Sequence, residues 1–251
     1  MSLIKKAKLG ELPLEQFMDI ETLNWIKENK PEFKNGEVSD IIFDYQKIIF
    51  NFEKFYIKED WFYKKEIINT IHGIRHMMRV LIYGVLVSDY LELDEKTMHK
   101  LCIASTLHDL RRVNDKDDVQ HGCRAAEWFL KNKKELLDYF NLEMNKKDLE
   151  EIYFTIFFHD QDYKSMIDNP NYQIHKNSID VFKTLDALDR YRLPKLKWWI
   201  NDEYLNLKLP LFCKEFAYNL VLDSEELFLS SKNNRESIDQ SLLKIYNQCH
   251  V

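Results

Sequence analysis

Several histidines of this chain recur beside carboxylates, which makes them the residues best suited to chemistry. Two are followed directly by aspartate, as His108-Asp109 and as His159-Asp160, and His76 lies upstream in a strongly apolar stretch. Burying many titratable groups without a compensating centre is costly. Imidazole and carboxylate groups together suit Mn, Fe, Co, Ni or Zn better than Mg, which prefers oxygen ligands. These residue types favour a site for a divalent transition metal ion.

Two other interpretations of these histidines are weighed against a metal site. A single histidine on an apolar helix face is more often a core residue than a ligand. His72 and His76 are four residues apart, which would place them on one face of a predicted helix. A zinc protease needs glutamate directly after the first histidine, and Gly73 stands there. Protease chemistry is therefore not expected.

Two arginines follow these histidines at helical spacing. Arg79 lies one turn beyond His76, and Arg112 lies one turn beyond His108. A guanidinium group can hold two phosphate oxygens at once, so both arginines are candidates for phosphate binding. For Arg112 a second interpretation stays open, in which it belongs to a solvated loop and pairs with nearby aspartates.

Long amphipathic helices must position these residues. The 251 residues include only 5 Gly and 5 Pro, too few turn formers for an all-β protein. Apolar residues at helical spacing predict an all-α fold. The second helix would open with Ser39 or Asp40 as its N-cap, and Asn169-Pro170-Asn171 is predicted to lie in a loop. The predicted helices cover residues 14–29, 39–56, 65–90, 95–110, 121–137, 147–158 and 178–191, followed by further helices.

Four short motifs follow one another along these helices. They read HMMRV at 76–80, STLHDLRRVND at 105–115, FHD at 158–160 and LDALDRYRL at 185–193, with HG at 121–122. The set resembles the HD superfamily of metal-dependent phosphohydrolases, whose pattern is H-x-x-R-V on one helix, HD on the next and a late Asp. The resemblance covers roughly residues 66–193. It depends on the order of the motifs and not on any one of them.

The resemblance implies a helical core that gathers metal ligands from four helices. Asp189 is the less favoured candidate for the late carboxylate, and the role of Asp160 stays open. The implied ligands of a first ion are His76, His108, Asp109 and Asp186. In members with two metals, His121 and His159 would bind a second ion, with Asp109 bridging both.

Further roles are expected around these ligands. We expect Asp109, Arg112 and Arg79 to take part in catalysis, and the two arginines to contact substrate. His72 has no standard role in the wider pattern and is predicted to touch substrate or to support a ligand. The cofactor prediction is therefore one or two divalent transition metal ions.

The predicted function is hydrolysis of a phosphomonoester or phosphodiester of a nucleotide or related small metabolite by metal-activated water. The sequence lacks the GYP motif of the cyclic-di-GMP phosphodiesterase branch, so that activity is not expected. Two alternatives stay open. One is a di-iron oxygenase on a similar scaffold, and the other is a non-catalytic nucleotide-binding regulatory protein.

Composition limits the partners. A net charge of -6 disfavours extended nucleic-acid binding, although local arginines can still bind a small phosphorylated substrate. The 4 cysteines are far apart and predict no disulfide, which fits a cytoplasmic location. The longest apolar stretch is too short for a membrane span, and oligomerisation stays open.

The domain prediction is a single unit over residues 1–251. We expect an HD-domain-like helical bundle with its core at about residues 66–193. Accessory helices at 1–65 and 194–251 would lie against that core.

Overall fold

The computed structural model describes residues 1–33 and 44–249. Within these two ranges the fold is all-α, as predicted, with eleven α-helices, five short 3₁₀ helices and no strand. The α-helices are α1 (Leu3–Leu9), α2 (Ile20–Glu28), α3 (Tyr45–Lys54), α4 (Ile74–Tyr90), α5 (Glu95–Leu107), α6 (His121–Phe140), α7 (Lys146–Phe158), α8 (Tyr163–Met166), α9 (Pro170–Leu188), α10 (Leu211–Ser231) and α11 (Asn234–Cys249).

Helix α4 lies at the centre of the fold. Residues 74–88 are all buried, as expected for a helix that is apolar on every side. Helices α3, α5, α9, α10 and α11 all contact it. The central helix therefore carries His76 into the interior of the protein.

The remaining helices around α4 share one hydrophobic core. Helix α7 packs against α5, α6 and α9. The main buried cluster runs from Leu3 to Ile245, so helices near both ends contribute to it. Trp199 packs edge-on against Trp25 and Tyr191. Within the described ranges, no helix is long and apolar enough to cross a membrane.

The predicted start of the first helix, at residue 14, is wrong. Helix α2 begins only at Ile20, because the Asp19 side chain accepts a hydrogen bond from the Thr22 amide and caps it. The N-caps predicted at Ser39 and Asp40 lie outside the described residues. Helix α3 starts at Tyr45, after the N-cap Asp44.

The prediction that His72 and His76 share one helix is also wrong. Residues Lys65–Ile67 form a 3₁₀ helix, and α4 starts only at Ile74. The chain turns so tightly here that a Cβ on Gly73 would lie 2.1 Å from the Ile68 carbonyl oxygen. Gly73 thus permits the close turn that leaves His72 outside the helix.

Helix α9 begins earlier than predicted, at residues expected to form a loop, but its backbone is kinked at His175, and the part that carries Asp186 follows that kink. Asn169 caps α9 and Pro170 occupies its first turn, where the missing N–H costs no hydrogen bond. Helix α9 ends at Leu188, and residues Asp189–Arg192 continue as a 3₁₀ helix. The helix type therefore changes three residues after Asp186.

Candidate metal centre

One group of facing side chains consists of His76, His108 and Asp186. The Nε2 atom of His76 lies 3.1 Å from His108 Nε2 and 3.2 Å from Asp186 Oδ1. Asp109 Oδ2 joins them, at 3.5 Å from His76 Nε2 and 3.9 Å from His108 Nε2. Ligand atoms about 2.0–2.2 Å from one ion are separated by about 3–4 Å. His76, His108 and Asp186 are therefore spaced as ligands of a single ion would be, and Asp109 lies beside both histidines.

His121 and His159 form a second group on the other side of Asp109. Their Nε2 atoms are 2.9 Å apart. Asp109 Oδ1 lies 3.1 Å from His121 Nε2 and 3.6 Å from His159 Nε2. The two oxygens of Asp109 consequently face different ligand groups.

The four histidines use their Nδ1 atoms in a common way, which leaves the Nε2 lone pairs inside the site. Each Nδ1 faces a carbonyl or carboxylate oxygen, which can only accept, so Nδ1 carries the proton of a neutral ring. Unprotonated Nε2 atoms that face one another at about 3 Å repel, and a cation between them relieves that repulsion. The Nδ1 partners are Asp189 Oδ2 at 2.8 Å for His76, the Ser105 carbonyl at 2.9 Å for His108, the Asp118 carbonyl at 2.7 Å for His121 and the Ile156 carbonyl at 2.7 Å for His159.

The pKa shifts of three groups agree with a neutral His108 beside an ionised Asp109 and an ionised Asp186. Burial lowers the pKa of His108 to about 3. Burial alone would raise the pKa of Asp109, but the charge of Arg112 holds it well below the usual range. Burial alone would also raise the pKa of Asp186, but the hydrogen bond with His76 lowers it well below the usual range. At neutral pH these groups are in the protonation states that metal ligands require.

His159 shows that the second group favours positive charge. Burial alone would lower the pKa of His159, yet the hydrogen bond with Asp109 and the charge of Asp160 raise it. An environment that stabilises a proton on this ring also stabilises a cation next to it.

The ligand groups are assembled from the ends of helices. His76 lies in the first turn of α4, His108 is the C-cap of α5 and His121 is the first residue of α6. His159 is the C-cap of α7, and Asp186 lies in the last turn of α9. Side chains at helix ends can converge on one point while the helix bodies diverge.

Gly122 allows α6 and α7 to approach closely at the second group. A Cβ at this position would lie 2.8 Å from both Asp160 Oδ1 and the Ile156 carbonyl oxygen, and 2.9 Å from His159 Nδ1. Any larger residue would push the helices apart. The HG pair at 121–122 is thus explained by geometry as well as by chemistry.

Asp189 supports His76 from behind and is not part of either ligand group. Its carboxylate receives hydrogen bonds from Arg79 Nε at 2.6 Å, Arg79 Nη2 at 2.9 Å and the Tyr83 hydroxyl at 2.9 Å. Burial alone would raise the pKa of Asp189, but the charge of Arg79 lowers it. An ionised carboxylate on Nδ1 fixes the tautomer and the orientation of a ligating histidine.

The predicted phosphate contact of Arg79 requires correction. Its guanidinium group is fully buried. Besides its contacts with Asp189, it donates through Nη1 to Glu225 Oε1 at 2.8 Å and to Ser224 Oγ at 3.1 Å. The buried network therefore commits this side chain to orienting His76 and to joining α4 with α10.

Arg112 lies beside the ligand groups, as the first interpretation of it predicts. Its Nη1 is 3.4 Å from Asp109 Oδ1 and 3.1 Å from His121 Nε2. The interpretation of residues 111–120 as a solvated loop does not hold for this residue, because Arg112, Asp115 and Asp118 are all buried.

A cavity of about 360 Å³ opens onto the ligand groups, and we call it the metal pocket. His72 and Arg112, the residues that the sequence predicts to contact substrate, lie in its wall. Three further cationic residues in its wall, Lys183, Arg190 and Arg192, were not expected from the sequence. Arg190 and Arg192 lie within the same LDALDRYRL motif as Asp186, and this proximity was the signal that could have revealed them.

The three additional cations have different surroundings. Lys183 donates to the carbonyls of His159 at 2.9 Å and Gln161 at 2.6 Å, and so caps the end of α7. Arg192 places Nη2 at 3.4 Å from His76 Nε2. Arg190 donates through Nε to the Trp198 carbonyl, and its Nη atoms have no hydrogen-bond partner in the described part of the chain.

The donor set fits one or two divalent transition metal ions on geometry and on protonation. His76, His108 and Asp186 form one candidate group in the described residues, and His108, Asp109 and His159 form another. Comparisons of the chain with protein-family models, with curated proteins and with solved structures give no match. The functional interpretation therefore depends on the residues of the site themselves.

Proposed function

We propose that the chain is a metal-dependent phosphohydrolase that cleaves a phosphoester of a nucleotide or a related small metabolite. The observation that carries the proposal is the position of Asp109. One of its oxygens faces His76 and His108, and the other faces His121 and His159. A carboxylate shared in this way suits two ions that act together on one phosphoryl group.

The proposed chemistry divides between the ions and the chain. A divalent transition metal ion supplies Lewis acidity and lowers the pKa of coordinated water, so that a nucleophile is present near neutral pH. The chain supplies positive charge around the phosphate oxygens through Arg112, Arg190 and Arg192, which all line the metal pocket. Asp109 and Asp186 keep the ions in place.

The arginines favour hydrolysis of a phosphoester over oxygen chemistry. Dioxygen is neutral and gains nothing from several guanidinium groups, whereas a phosphate dianion needs them. The pocket wall contains four cationic side chains and four aspartates, and two of those aspartates, Asp109 and Asp186, are proposed metal ligands. With ions bound to these two, the cationic side chains favour an anionic substrate.

The test is the metal content per chain, measured by elemental analysis on protein purified without chelator and without a histidine tag. We expect about two ions in the wild type and none in Asp109→Ala, because that variant removes the shared ligand. Asp60→Ala is the matched control, since its side chain is 95% exposed and pairs only with Lys65. A phosphoester panel assayed with the identified metal then tests hydrolysis.

Each alternative function gives a different result in these assays. Two irons together with oxygen uptake would indicate the oxygenase. Tight nucleotide binding without turnover, in the presence of every metal tested, would indicate the regulatory protein. Absence of metal after reconstitution with Mn, Co, Ni, Fe or Zn would refute the proposal and make the histidines core residues.

A further inference from the structure

Two of the four cationic side chains in the wall of the metal pocket are engaged by the protein through each of their nitrogens. Arg112 donates through Nε to the Asn114 carbonyl at 3.2 Å and through Nη2 to the Lys116 carbonyl at 3.0 Å. Its Nη1 lies 3.4 Å from Asp109 Oδ1. Lys183 donates to backbone carbonyls at the end of α7. These side chains add positive charge to the pocket, but the protein already supplies their acceptors.

Arg192, the third of these cations, is engaged in the same way. Its Nε donates to the Ile71 carbonyl, and its Nη1 donates to the Asp189 carbonyl at 2.9 Å. Its Nη2 lies 3.4 Å from His76 Nε2. A ligand in the pocket would have to compete with these contacts for the guanidinium group of Arg192.

Arg190, the fourth cation, has a free fork. Its Nε donates to the Trp198 carbonyl, whereas both Nη atoms lack a hydrogen-bond partner and a carboxylate at ion-pair distance in the part of the chain that the structure describes. Side-chain atoms that are buried without a partner occur in residues such as Ser88 and His99, but none of them belongs to Arg190. Both Nη atoms are therefore accessible and can bind a ligand without breaking an existing contact.

The guanidinium group of Arg190 lies on the side of the ligand groups. Burial lowers the pKa of Arg190, the charge of Asp186 opposes this effect, and the charge of Arg192 adds to it. Both of these charged residues line the metal pocket, and neither lines the neighbouring cavity of about 430 Å³ that Arg190 also borders. Asp186 precedes Arg190 by four residues, a spacing at which Cβ atoms on a helix are about 5–6 Å apart. The fork of Arg190 is therefore close to the first ligand group.

The fold leaves the charge of Arg190 without a compensating anion. A lowered pKa means that the protein stabilises the charged guanidinium group less well than water does. The two aspartates of the pocket wall that are not proposed ligands have other partners. Asp160 lies 3.3 Å from His121 Nδ1, and Asp162 caps α8 by accepting from the Ser165 amide at 2.9 Å. A half-buried cation at a cavity, with no acid to pair with, is suited to an anionic ligand.

The anion that fits this position best is a terminal phosphate group. A guanidinium fork binds two oxygens of one phosphate at once. A phosphomonoester has three oxygens outside the ester bond and carries close to two negative charges near neutral pH, whereas a diester has two such oxygens and one charge. The proposed ions polarise oxygens of the same group, so the third oxygen of a monoester remains for Arg190.

We propose that Arg190 anchors the phosphate in the metal pocket and makes the pocket selective for a phosphomonoester over a phosphodiester. This inference rests on the phosphohydrolase function proposed above, which leaves the kind of phosphoester open. Arg190 acts here as a substrate-binding residue that holds phosphate oxygens and exchanges no proton.

The test compares kcat/KM for 4-nitrophenyl phosphate and methyl 4-nitrophenyl phosphate, which share a leaving group and differ by one methyl group on a phosphate oxygen. The wild type is expected to prefer the monoester by about tenfold or more. Arg190→Gln removes the fork and should lower the ratio of the two values by about tenfold. Because the ratio is taken within one protein sample, a smaller fraction of folded protein cancels from it.

Arg111→Gln is the matched control. Arg111 is half-buried like Arg190, donates to one backbone carbonyl, that of Trp61, and has a pKa that burial lowers. Its guanidinium group lies over the ring of Tyr63, at 4.7 Å from the ring centre, and it does not line the metal pocket. This variant should keep the wild-type ratio.

Calorimetry separates this inference from the proposed function, because it requires no turnover. The metal-loaded wild type should bind inorganic phosphate about tenfold more tightly than dimethyl phosphate. Arg190→Gln should weaken phosphate binding about tenfold without changing the metal content, and Arg190→Lys, which keeps the charge, should restore part of the loss. Phosphate binding that depends on Arg190 in this way supports the anchor even if no phosphoester is cleaved.

Three results would overturn the inference. Equal kcat/KM for the two esters in the wild type, or an unchanged ratio in Arg190→Gln, would do so and leave the phosphohydrolase intact. Loss of metal from Arg190→Gln would make Arg190 a structural residue of the metal centre. Acetate binding as tight as phosphate binding would assign the fork to a carboxylate.

Discussion

At the scale of single residues, the ring nitrogens of the four histidines determine what the site can bind. Each ring uses Nδ1 as a donor to the protein and turns Nε2 inward. Hydrogen bonding alone would not bring unprotonated nitrogens together in pairs at 3.1 Å and 2.9 Å. The simplest occupant of the space between them is a cation.

His121→Ala should reduce the metal content from about two ions to one, because His76, His108, Asp109 and Asp186 still surround the first position. Elemental analysis of purified protein measures the change. His99→Ala is the control, since His99 is buried but lies away from the ligand groups. Unchanged stoichiometry in His121→Ala would contradict the two-ion arrangement.

Asp189→Asn should keep the full number of ions at saturating metal but weaken their binding by about 10–100-fold. The substitution removes the charge that orients His76 while leaving every proposed ligand in place. Competition with a chromogenic chelator measures the affinity. Asp180→Asn is the control, because this buried carboxylate on the preceding helix α9 accepts hydrogen bonds from Tyr172 and Asn206 instead. Complete loss of metal from Asp189→Asn would make Asp189 a ligand.

The sequence identified the residue types of the site better than the directions in which their side chains point. The structure brings the six predicted ligand residues together in two groups that meet at Asp109. Arg79 shows the limit of spacing arguments, because one turn beyond His76 its side chain points towards Glu225 and away from the pocket. Arg190 and Arg192 were missed because their direction depends on a 3₁₀ helix that periodicity does not reveal.

At the scale of elements, close contact between helix ends sets the distance between the ligands. Helix α6 begins at His121 and α7 ends beside His159, so one glycine at their contact controls the second group. The sequence predicted the existence of most helices, but several of their starts were wrong. Local capping by Asp19 and the tight turn at Gly73 decided those starts, and the spacing of apolar residues reveals neither.

Gly122→Ala should lower the stability by about 1–3 kcal/mol and release the second ion, because its Cβ would overlap atoms of α7. Gly84→Ala is the matched control within α4, where a Cβ meets nothing closer than 3.4 Å. There alanine should stabilise the helix by about 1 kcal/mol. Urea unfolding and metal analysis of both variants measure these effects. Equal behaviour of the two glycines would refute the proposed role of the α6–α7 contact.

At the scale of the whole molecule, a buried charge network links the C-terminal helices to the ligands. Glu225 on α10 binds Arg75 and Arg79, and Arg79 in turn binds Asp189 behind His76. If one member of such a network is removed, the remaining charges stay buried without a partner, and this destabilises the fold. The helices after residue 193 are thereby coupled to the site as well as to the core.

Glu225→Gln should lower the free energy of unfolding at neutral pH by about 3–5 kcal/mol, since it leaves two buried arginines short of negative charge. Glu226→Gln is the neighbouring control. Glu226 forms an exposed pair with Lys27, so its loss should cost less than about 1 kcal/mol. Similar losses in both variants would show that the network does not contribute as described.

The stabilisation that Glu225 provides should depend on pH, and its pKa determines how. Burial alone would raise that pKa, but Arg75 and Arg79 lower it. The folded pKa therefore lies below the unfolded value of about 4.3, and the stabilisation is present above that pH. The difference in the free energy of unfolding between wild type and Glu225→Gln should stay constant down to about pH 5 and become smaller below about pH 4. Denaturant titrations across this range test the sign.

The sharing of Asp109 between two ligand groups has a consequence for how the protein fills with metal. In the proposed two-ion state, each ion draws on the same single negative charge, so the first ion to arrive weakens the attraction for the second. Such coupling is reciprocal, and loading becomes anticooperative. The fraction of fully loaded protein would then rise gradually with the metal supply of the cell instead of switching at one concentration.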